Sequence, residues 1–139
     1  LKKRIKDHEG WSDRPYFDHL GFATIGHGHR ITKKDGFKDG IQYPKDELLA
    51  LFEKDFAKAE MGCDQLVGKI VELHQEAKNV IIEMVFQLGT QGVRNFKNMI
   101  SALEDRDYQR ASAEMLDSKW NAQTPNRCQS LAKIMATCK

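Results

Sequence analysis

Residues 16–32 read YFDHLGFATIGHGHRIT, and this stretch sets the fold of the first part of the chain. Its side chains alternate with a period of two, which is typical of half-buried β-strands. Residues 19–21 supply a turn, and Gly26 and Gly28 mark a bend or a close backbone approach. The stretch therefore predicts a small antiparallel sheet.

The segments next to this stretch have other patterns. Leu1 and Ile5 lie one helical turn apart, and Gly10 suits the end of a short helix whose last residue is Glu9. Residues 33–43 contain two Asp-Gly steps and predict a loop. The sheet is thus expected to lie between a short helix and a loop.

Pro44 suits the first turn of the next helix, because its missing N–H needs no partner there. The helix is expected to connect two lobes and to end near Gly62. It buries one apolar face, which consists of Leu48, Leu51, Phe52 and Phe56.

The far half of the chain is predicted to be helical. Residues 80–88 are apolar nearly all round, which is typical of a helix enclosed by others, and Gly89 is expected to end it. Thr124 as N-cap and Pro125 at the first helical position open the last helix. Three further apolar stripes follow Gly89, formed by Met99, Ile100 and Leu103, by Ala111, Met115, Leu116 and Trp120, and by Leu131, Ile134 and Met135.

The whole pattern predicts an α+β fold in a single domain spanning residues 1–139, with a sheet-bearing lobe of about residues 1–60 and a helical lobe of about residues 61–139. The 22 Lys and Arg nearly balance the 20 Asp and Glu and are dispersed, which argues against a nucleic-acid partner. The apolar runs are shorter than the roughly 20 residues of a membrane helix. Three cysteines, an odd number, favour reduced thiols, although one disulfide stays possible.

Glu9, Asp18 and Thr24 combine two carboxylates with a hydroxyl. Asp18 and Thr24 are expected to face each other across adjacent strands, while Glu9 ends a helix, a place that raises the pKa of a carboxyl. Glycoside hydrolysis needs one protonated acid and a second carboxylate, about 6.5–9.5 Å apart when a water attacks with inversion. Taken alone, the three residues are also compatible with ordinary surface side chains, since the chain has 20 acidic residues.

Two separated groups of residues add to this pattern. The first group consists of Glu9, Gly10, Tyr16, Asp18, Gly21, Thr24, Ile25, Gly26, Gly28 and His29. The second consists of residues 84–89, Gly92, Val93, Phe96, Ser118, Trp120 and residues 123–127. In order and spacing they resemble the phage-type lysozymes, the T-even phage endolysin group, over nearly the whole chain. The resemblance implies a lysozyme-like fold with a three-stranded sheet, a connecting helix and a helical second lobe.

The resemblance also implies roles for individual residues. Glu9 matches the general acid, Asp18 the carboxylate that works with the attacking water, and Thr24 the hydroxyl that helps to hold this water. Arg127 matches an arginine that lies beside the catalytic glutamate; without the resemblance it would be read as an exposed surface residue.

Further positions match supporting and substrate-binding residues of the family. His29 matches a histidine paired with an aspartate, here Asp55, and such an ion pair would be structural and would raise the pKa of the histidine. Phe86 and Gln87 resemble residues that face the sugar, although Phe86 also suits a plain core position. Arg30 stands where the family has an apolar residue at the substrate.

Other positions depart from the family pattern. Met99 and Glu114 stand where a hydroxyl and an amide of the best-known member touch the saccharide. Residues 33–43 look like a shortened version of a longer segment. The net charge of +2 is also lower than usual for enzymes that act on an anionic wall. The details of substrate binding are therefore expected to differ.

The same residues permit two rival functions. His27 and His29 would share one face of a strand, with His19, Asp18 and Glu9 nearby. These residue types are common metal ligands, so they would suit a metal site in a metal-dependent peptidoglycan amidase. The HExxH pattern of many zinc hydrolases is absent. A non-catalytic cell-wall-binding relative is the second alternative.

The expected function is that of a lysozyme that hydrolyses the β-1,4 bond between N-acetylmuramic acid and N-acetylglucosamine in bacterial peptidoglycan, with inversion and without a cofactor or metal. The expected partner is peptidoglycan, with neither nucleic acid nor membrane insertion. We expect a monomer unless the chain is part of a larger assembly. No signal peptide opens this chain, so a phage endolysin would pass from host cytoplasm to periplasm, and a domain of a larger lytic protein would be in a virion tail or secreted.

Overall fold

The computed structural model describes residues 1–139 and confirms the α+β class. One short helix and three strands come first, and six further helices follow. The elements in chain order are α1 (Lys2–Glu9), β1 (Ser12–Phe17), β2 (Ala23–Gly26), β3 (His29–Arg30), α2 (Lys45–Val67), α3 (Gln75–Arg94), α4 (Lys97–Glu104), α5 (Tyr108–Leu116), α6 (Lys119–Gln123) and α7 (Pro125–Thr137).

The contacts within the chain divide it into two units, Leu1–Ala57 and Lys58–Lys139. The boundary falls inside α2, so this helix starts in unit 1 and ends in unit 2. Unit 1 also holds α1 and the sheet, and unit 2 holds α3 to α7.

The core of unit 1 draws side chains from each of its element types. Ile5 of α1 and Ile25 of β2 are fully buried, and Leu48 and Phe52 of α2 are almost so. Gly26 at the end of β2 lies against the side chain of Leu48, since a Cβ built there would be 3.6 Å from the Leu48 Cβ. Burying each of these side chains contributes about 1.5–3 kcal/mol, which is enough to hold a short sheet on a helix.

The sheet has the order β1-β2-β3, and both pairs are antiparallel. Thr24 pairs with Tyr16, whereas Asp18 lies beyond the end of β1, in the turn to β2. The expectation that Asp18 and Thr24 face each other on strands is therefore wrong. Asp18 stabilises this turn, because its side chain accepts the N–H groups of Leu20 and Phe22.

The second turn of the sheet also differs from expectation. His27 and Gly28 separate β2 from β3, so His27 and His29 do not share one strand. Gly26 and Gly28 have φ values of 64° and 73°, in the left-handed region that glycine adopts without strain. The two glycines thus reverse the chain at the expected bend.

Unit 2 is built on the apolar run in α3. Residues 80–85 are all buried, and Gly89, with φ 80° and ψ 161°, interrupts the helix as expected before the chain resumes helical geometry up to Arg94. The other helices bury at least one side chain each against this core, including Met99, Leu103, Ala111, Met115, Trp120, Leu131 and Met135.

Two helix boundaries in this half differ from the sequence prediction. The helix that begins after Pro44 continues past Gly62 to Val67. Gly62 is buried because Val85 and Thr90 pack against its bare backbone, so it marks a close helix contact and not a helix end. The stripe that ends in Trp120 is split into α5 and α6 at Ser118, whose hydroxyl caps α6 by accepting the Asn121 N–H at 3.2 Å.

All three cysteines are buried and reduced. Burial raises the pKa of the Cys63 and Cys128 thiols to about 11, which keeps both protonated at neutral pH. None of the helices combines the length and the apolar character required to cross a membrane.

Candidate active site

Glu9 is positioned by the end of α1 and by a turn of the sheet. The helix stops because Gly10 adopts φ 79°, and the Gly10 N–H donates to the Lys6 carbonyl at 3.0 Å. The half-buried Glu9 side chain then lies against Gly28: a Cβ built on Gly28 would be 2.7 Å from the Glu9 carboxyl carbon. A residue with a side chain at position 28 would therefore push the Glu9 carboxyl away.

Asp18 is held by the turn between β1 and β2. Its Oδ1 accepts two backbone hydrogen bonds, from the N–H groups of Leu20 and Phe22, both at 2.9 Å. Because one oxygen is occupied by the main chain, the carboxylate has a fixed orientation. The other oxygen is available for a polar group of a ligand or a water.

Thr24 lies on β2 and is only 4% exposed. Its hydroxyl donates to the Phe22 carbonyl at 2.8 Å. Since the hydroxyl hydrogen is used in this bond, the oxygen can act toward other groups as an acceptor. The main chain of Phe22 thus binds Asp18 through its N–H and Thr24 through its carbonyl, which brings the two side chains to one short segment.

Tyr16 on β1 pairs directly with Thr24 on β2 across the antiparallel ladder. Burial raises the pKa of its phenol, and the negative charges of Glu9 and Asp18 raise it further. The phenol is therefore within electrostatic reach of both carboxylates. Unit 1 brings together Glu9, Asp18 and Thr24, the three residues that the sequence put forward as catalytic.

His29 on β3 is bonded at both ring nitrogens. Nδ1 lies 2.7 Å from the Asp55 carboxylate on α2, and Nε2 lies 2.9 Å from the Asp35 carboxylate. Burial disfavours the charged ring, but the hydrogen bonds to Asp55 and Asp35 outweigh it and raise the pKa of His29. The histidine joins the sheet to α2 and to the loop before it.

Arg30, the next residue on β3, is exposed and stacks on an aromatic ring. Its guanidinium carbon lies 3.7 Å from the ring centroid of Phe22, which is 43% exposed. This contact holds the cation beside the turn that also carries Asp18. Arg30 thus places a cation at the exposed surface, next to the turn that contains Asp18.

Arg127 on α7 is buried and forms an ion pair inside unit 2. Its Nε lies 3.0 Å from Oε2 of Glu83 on α3, and the side chains are 9% and 0% exposed. Arg127 is therefore not an exposed surface residue. Glu83 keeps its place in the apolar run of α3 because a cation satisfies it there.

Gln87, one turn after Glu83, is held by two side chains. Its carbonyl oxygen accepts the Trp120 indole N–H at 2.9 Å, and its amide nitrogen donates to the Thr124 hydroxyl at 3.3 Å. The amide orientation is fixed by these bonds. Phe86 next to it is half-buried, which suits neither a fully enclosed core residue nor a free surface one.

A concave surface of about 570 Å³ lies in unit 2. Leu88, Phe96 and Trp120 form its apolar part, and Met99 and Glu114 line it as well. The last two are the positions at which the sequence departs from the resembling family. Two of the departures from the family pattern thus lie in one pocket.

Sequence reasoning missed three partners of the candidate residues. Glu83 had a signal, since it is the single acid within residues 80–88, and an acid in an apolar run needs a buried cation. Asp35 is one of several loop acids, and nothing in the pattern distinguishes it. Tyr16 belongs to the first group of matching residues, but its place opposite Thr24 depends on the strand register.

The histidines considered for a metal site have other surroundings. His27 Nδ1 lies 2.7 Å from the Gly10 carbonyl, and both nitrogens of His29 are bonded to carboxylates. His19 lies in the exposed first turn. The structure contains no group of three or more His, Cys, Asp or Glu side chains that could hold a metal ion.

Comparison with known proteins gives consistent matches along the chain. The family model for phage lysozyme matches residues 6–134. Probable T4-type lysozyme 1 of Dictyostelium discoideum is 31% identical, over 99% of this chain and 94% of the relative. Pre-baseplate central spike protein Gp5 of Enterobacteria phage T4 is 27% identical over 99% of this chain but 28% of its own length. Peptidoglycan hydrolase gp36 of Pseudomonas phage phiKMV is 25% identical, over 97% of this chain and 15% of the relative.

Proposed function

Since the chain belongs to the phage lysozyme family and is a glycoside hydrolase of the bacterial cell wall, we propose that it hydrolyses the β-1,4 bond between N-acetylmuramic acid and N-acetylglucosamine in peptidoglycan. One observation carries the proposal: Glu9, Asp18 and Thr24 lie close together in unit 1. The Phe22 main chain binds both Asp18 and Thr24, and the charges of Glu9 and Asp18 both act on the phenol of Tyr16. Hydrolysis with inversion needs one protonated acid and a second carboxylate that activates a water, and a hydroxyl beside the carboxylate can help to hold that water.

Glu9 acts as the general acid. It gives its proton to the glycosidic oxygen while the bond from this oxygen to the anomeric carbon breaks. The contact with Gly28 limits the positions that the carboxyl can take. Restricting a reacting group in this way lowers the entropy that is lost on reaching the transition state.

Asp18 and Thr24 act on the attacking water. The water donates one hydrogen to the outer oxygen of Asp18 and the other to the Thr24 hydroxyl, whose own hydrogen is used on Phe22. As the water oxygen bonds to the anomeric carbon, the Asp18 carboxylate takes its proton. Attack on the face opposite to the leaving group inverts the anomeric configuration.

Each unit offers groups that are suited to binding a sugar. Arg30 offers a cation at the exposed edge of the sheet, held over Phe22. Phe86 supplies an apolar face and Gln87 a fixed amide. In unit 2, Met99 and Glu114 line a pocket that also holds basic side chains. The His29–Asp55 pair stabilises unit 1 and Arg127 stabilises unit 2, without touching the sugar.

The variant Glu9→Gln tests the proposed mechanism. The side chain keeps its size but loses its acid proton, so turnover should fall by roughly 10²–10⁴-fold. Reducing ends released from purified peptidoglycan measure the rate, and the anomer formed first, followed by NMR, measures inversion.

Glu60→Gln is the matched control, because Glu60 is exposed and lies on α2 in unit 2. It should hydrolyse peptidoglycan like the unmodified protein. If a folded Glu9→Gln protein also does so, Glu9 is not the acid. A product of retained configuration would instead remove the direct attack of water.

A further inference from the structure

Unit 1 has a second concave surface, which shares no residue with the proposed catalytic set. Its volume is about 420 Å³, within the roughly 300–1,000 Å³ of small-molecule sites. It is lined by Trp11, Asp13, Gln42, Tyr43, Pro44 and Lys45. We propose that this surface, called here the Trp11 pocket, is a non-catalytic binding site for the N-acetylated glycan of the cell wall.

Trp11 is exposed yet held in place. The side chain is 42% exposed, which is unusual for a residue of this size. Its ring lies 4.8 Å from the ring of His27, centroid to centroid. His27 is itself held by the Gly10 carbonyl at 2.7 Å and by the edge of Phe52 at 5.7 Å. The indole is therefore a prepared flat surface, and binding a ligand costs little side-chain entropy.

Polar groups next to the indole are also fixed. The Gln42 amide nitrogen donates to the Asp13 Oδ2 at 2.7 Å, and the Tyr43 N–H donates to the Asp13 carbonyl at 2.9 Å. These bonds join the end of the loop to β1. They use one carboxylate oxygen and one amide hydrogen, so the remaining oxygens of Asp13 and Gln42 can accept hydrogen bonds from a ligand.

This combination fits a sugar better than other ligands. The C–H face of a pyranose ring packs on a flat indole, while its hydroxyl and acetamide N–H groups donate to carboxylate and amide oxygens. A purely apolar ligand would leave Asp13 and Gln42 desolvated without partners. An anion would be repelled by Asp13, although Lys45 at the rim offsets part of that charge.

The identity of the sugar rests on the proposed function. If the enzyme cleaves a polymer of N-acetylated hexosamines, every substrate strand contains many copies of the unit that the Trp11 pocket recognises. Holding one part of a strand raises the effective concentration of the rest at the catalytic residues. The pocket should therefore matter for polymeric wall and not for short fragments.

Cosedimentation with purified peptidoglycan sacculi tests the proposal. The variants Trp11→Ala and Gln42→Ala are each made in the Glu9→Gln protein, so that binding is measured without turnover. Loss of the aromatic contact should weaken binding to sacculi roughly three- to tenfold. Ile41→Ala is the matched control, since Ile41 is 48% exposed beside Gln42 but does not line the pocket.

Kinetics of the single variants in the active protein give the second measurement. Trp11→Ala should raise KM for intact sacculi and leave kcat/KM for a short soluble peptidoglycan fragment unchanged. Equal binding of the Trp11→Ala and unmodified Glu9→Gln proteins to sacculi would overturn the proposal. An equal loss on short and polymeric substrates would overturn it too, by assigning Trp11 to the catalytic site.

Fluorescence separates this proposal from the proposed reaction. The chain has two tryptophans, and Trp120 is only 3% exposed, so quenching by acrylamide reports mainly on Trp11. Soluble wall glycan added to the Glu9→Gln protein should protect the indole from acrylamide. Protection in Glu9→Gln, together with no hydrolysis of peptidoglycan by the unmodified protein, would reject the reaction and keep the pocket. Hydrolysis by the unmodified protein without protection in Glu9→Gln would do the reverse.

Discussion

Each unit contains a charged cluster that is largely shielded from solvent, centred on His29 in unit 1 and on Arg127 in unit 2, and the two clusters differ in what controls their charge. In unit 1, His29 is 12% exposed, and Asp35 and Asp55 are each 19% exposed. In unit 2, Arg127 is 9% exposed, and Glu83 is fully buried. Imidazole loses its charge near neutral pH, whereas guanidinium never does in a protein. Rising pH can therefore remove the positive charge of the His29 cluster, whereas the Arg127 cluster keeps its cation.

The largest effect is expected for Arg127→Met. This variant removes a cation from a fully buried carboxylate, and breaking a buried pair from one side costs about 3–5 kcal/mol. The free energy of unfolding, from urea denaturation at pH 7, measures the loss. Arg94→Met is the control, because Arg94 is an exposed arginine on α3, and it should change stability by less than about 0.5 kcal/mol.

The double variant Arg127→Met with Glu83→Leu sharpens this prediction. Replacing both charges by apolar groups removes the uncompensated carboxylate, so much of the lost stability should return. If the double variant is as unstable as Arg127→Met, the damage comes from lost packing and not from the buried charge of Glu83.

A smaller loss is expected for His29→Asn. At pH 6 the variant gives up charge-assisted hydrogen bonds to Asp55 and Asp35, and the free energy of unfolding should fall by about 2 kcal/mol. His19→Asn serves as the control, because His19 is exposed in the first turn of the sheet. A loss at His29 no greater than that at His19 would show that the cluster adds nothing to stability.

The smallest effect is the pH dependence of the stability difference between the unmodified protein and His29→Asn. The folded pKa of His29 is raised, so its contribution is complete below the ordinary histidine pKa and is lost as pH rises through the raised value. The pKa of Asp35 is lowered: burial alone would raise it, but the Thr32 N–H and His29 outweigh burial. Its contribution is present above the ordinary aspartate pKa and is lost as pH falls through the lowered value.

The stability difference between the unmodified protein and His29→Asn should thus be greatest in mildly acidic solution and should shrink toward both extremes. Urea denaturation repeated across this range measures it. The corresponding difference for Arg127→Met should not shrink as pH rises, because an uncompensated buried carboxylate costs most where it is charged. A parallel decline of both differences with rising pH would contradict the distinction between the clusters.

The sequence predicted the parts of the fold that depend on local chemistry. The alternation in residues 16–32 predicted an antiparallel sheet, although its first strand begins earlier, at Ser12. Gly10 and Gly89, both with positive φ, ended helical segments as expected. The prediction that the helix ends near Gly62 was wrong, because a glycine at a helix contact looks the same in sequence as one at a helix end. Only the packing of Val85 and Thr90 distinguishes the two cases.

The catalytic roles of Glu9, Asp18 and Thr24 stay predictions. Motif spacing singles out the three residues, and the structure places all of them in unit 1, with Asp18 in the β1–β2 turn and Glu9 against the β2–β3 turn. The position of Asp18 beyond the strand depends on the register, which a one-residue difference in turn length changes. Asp35 could not be identified from the sequence, because its role depends on the contact with His29, which only the folded structure creates.

The bare backbone of Gly28 against Glu9 couples two positions that are 19 residues apart in the chain. The positive φ of Gly28 already disfavours any other residue at this position. Under the proposed mechanism, a side chain there would also compete with the general acid for space, so the reaction and the backbone would both require glycine at position 28.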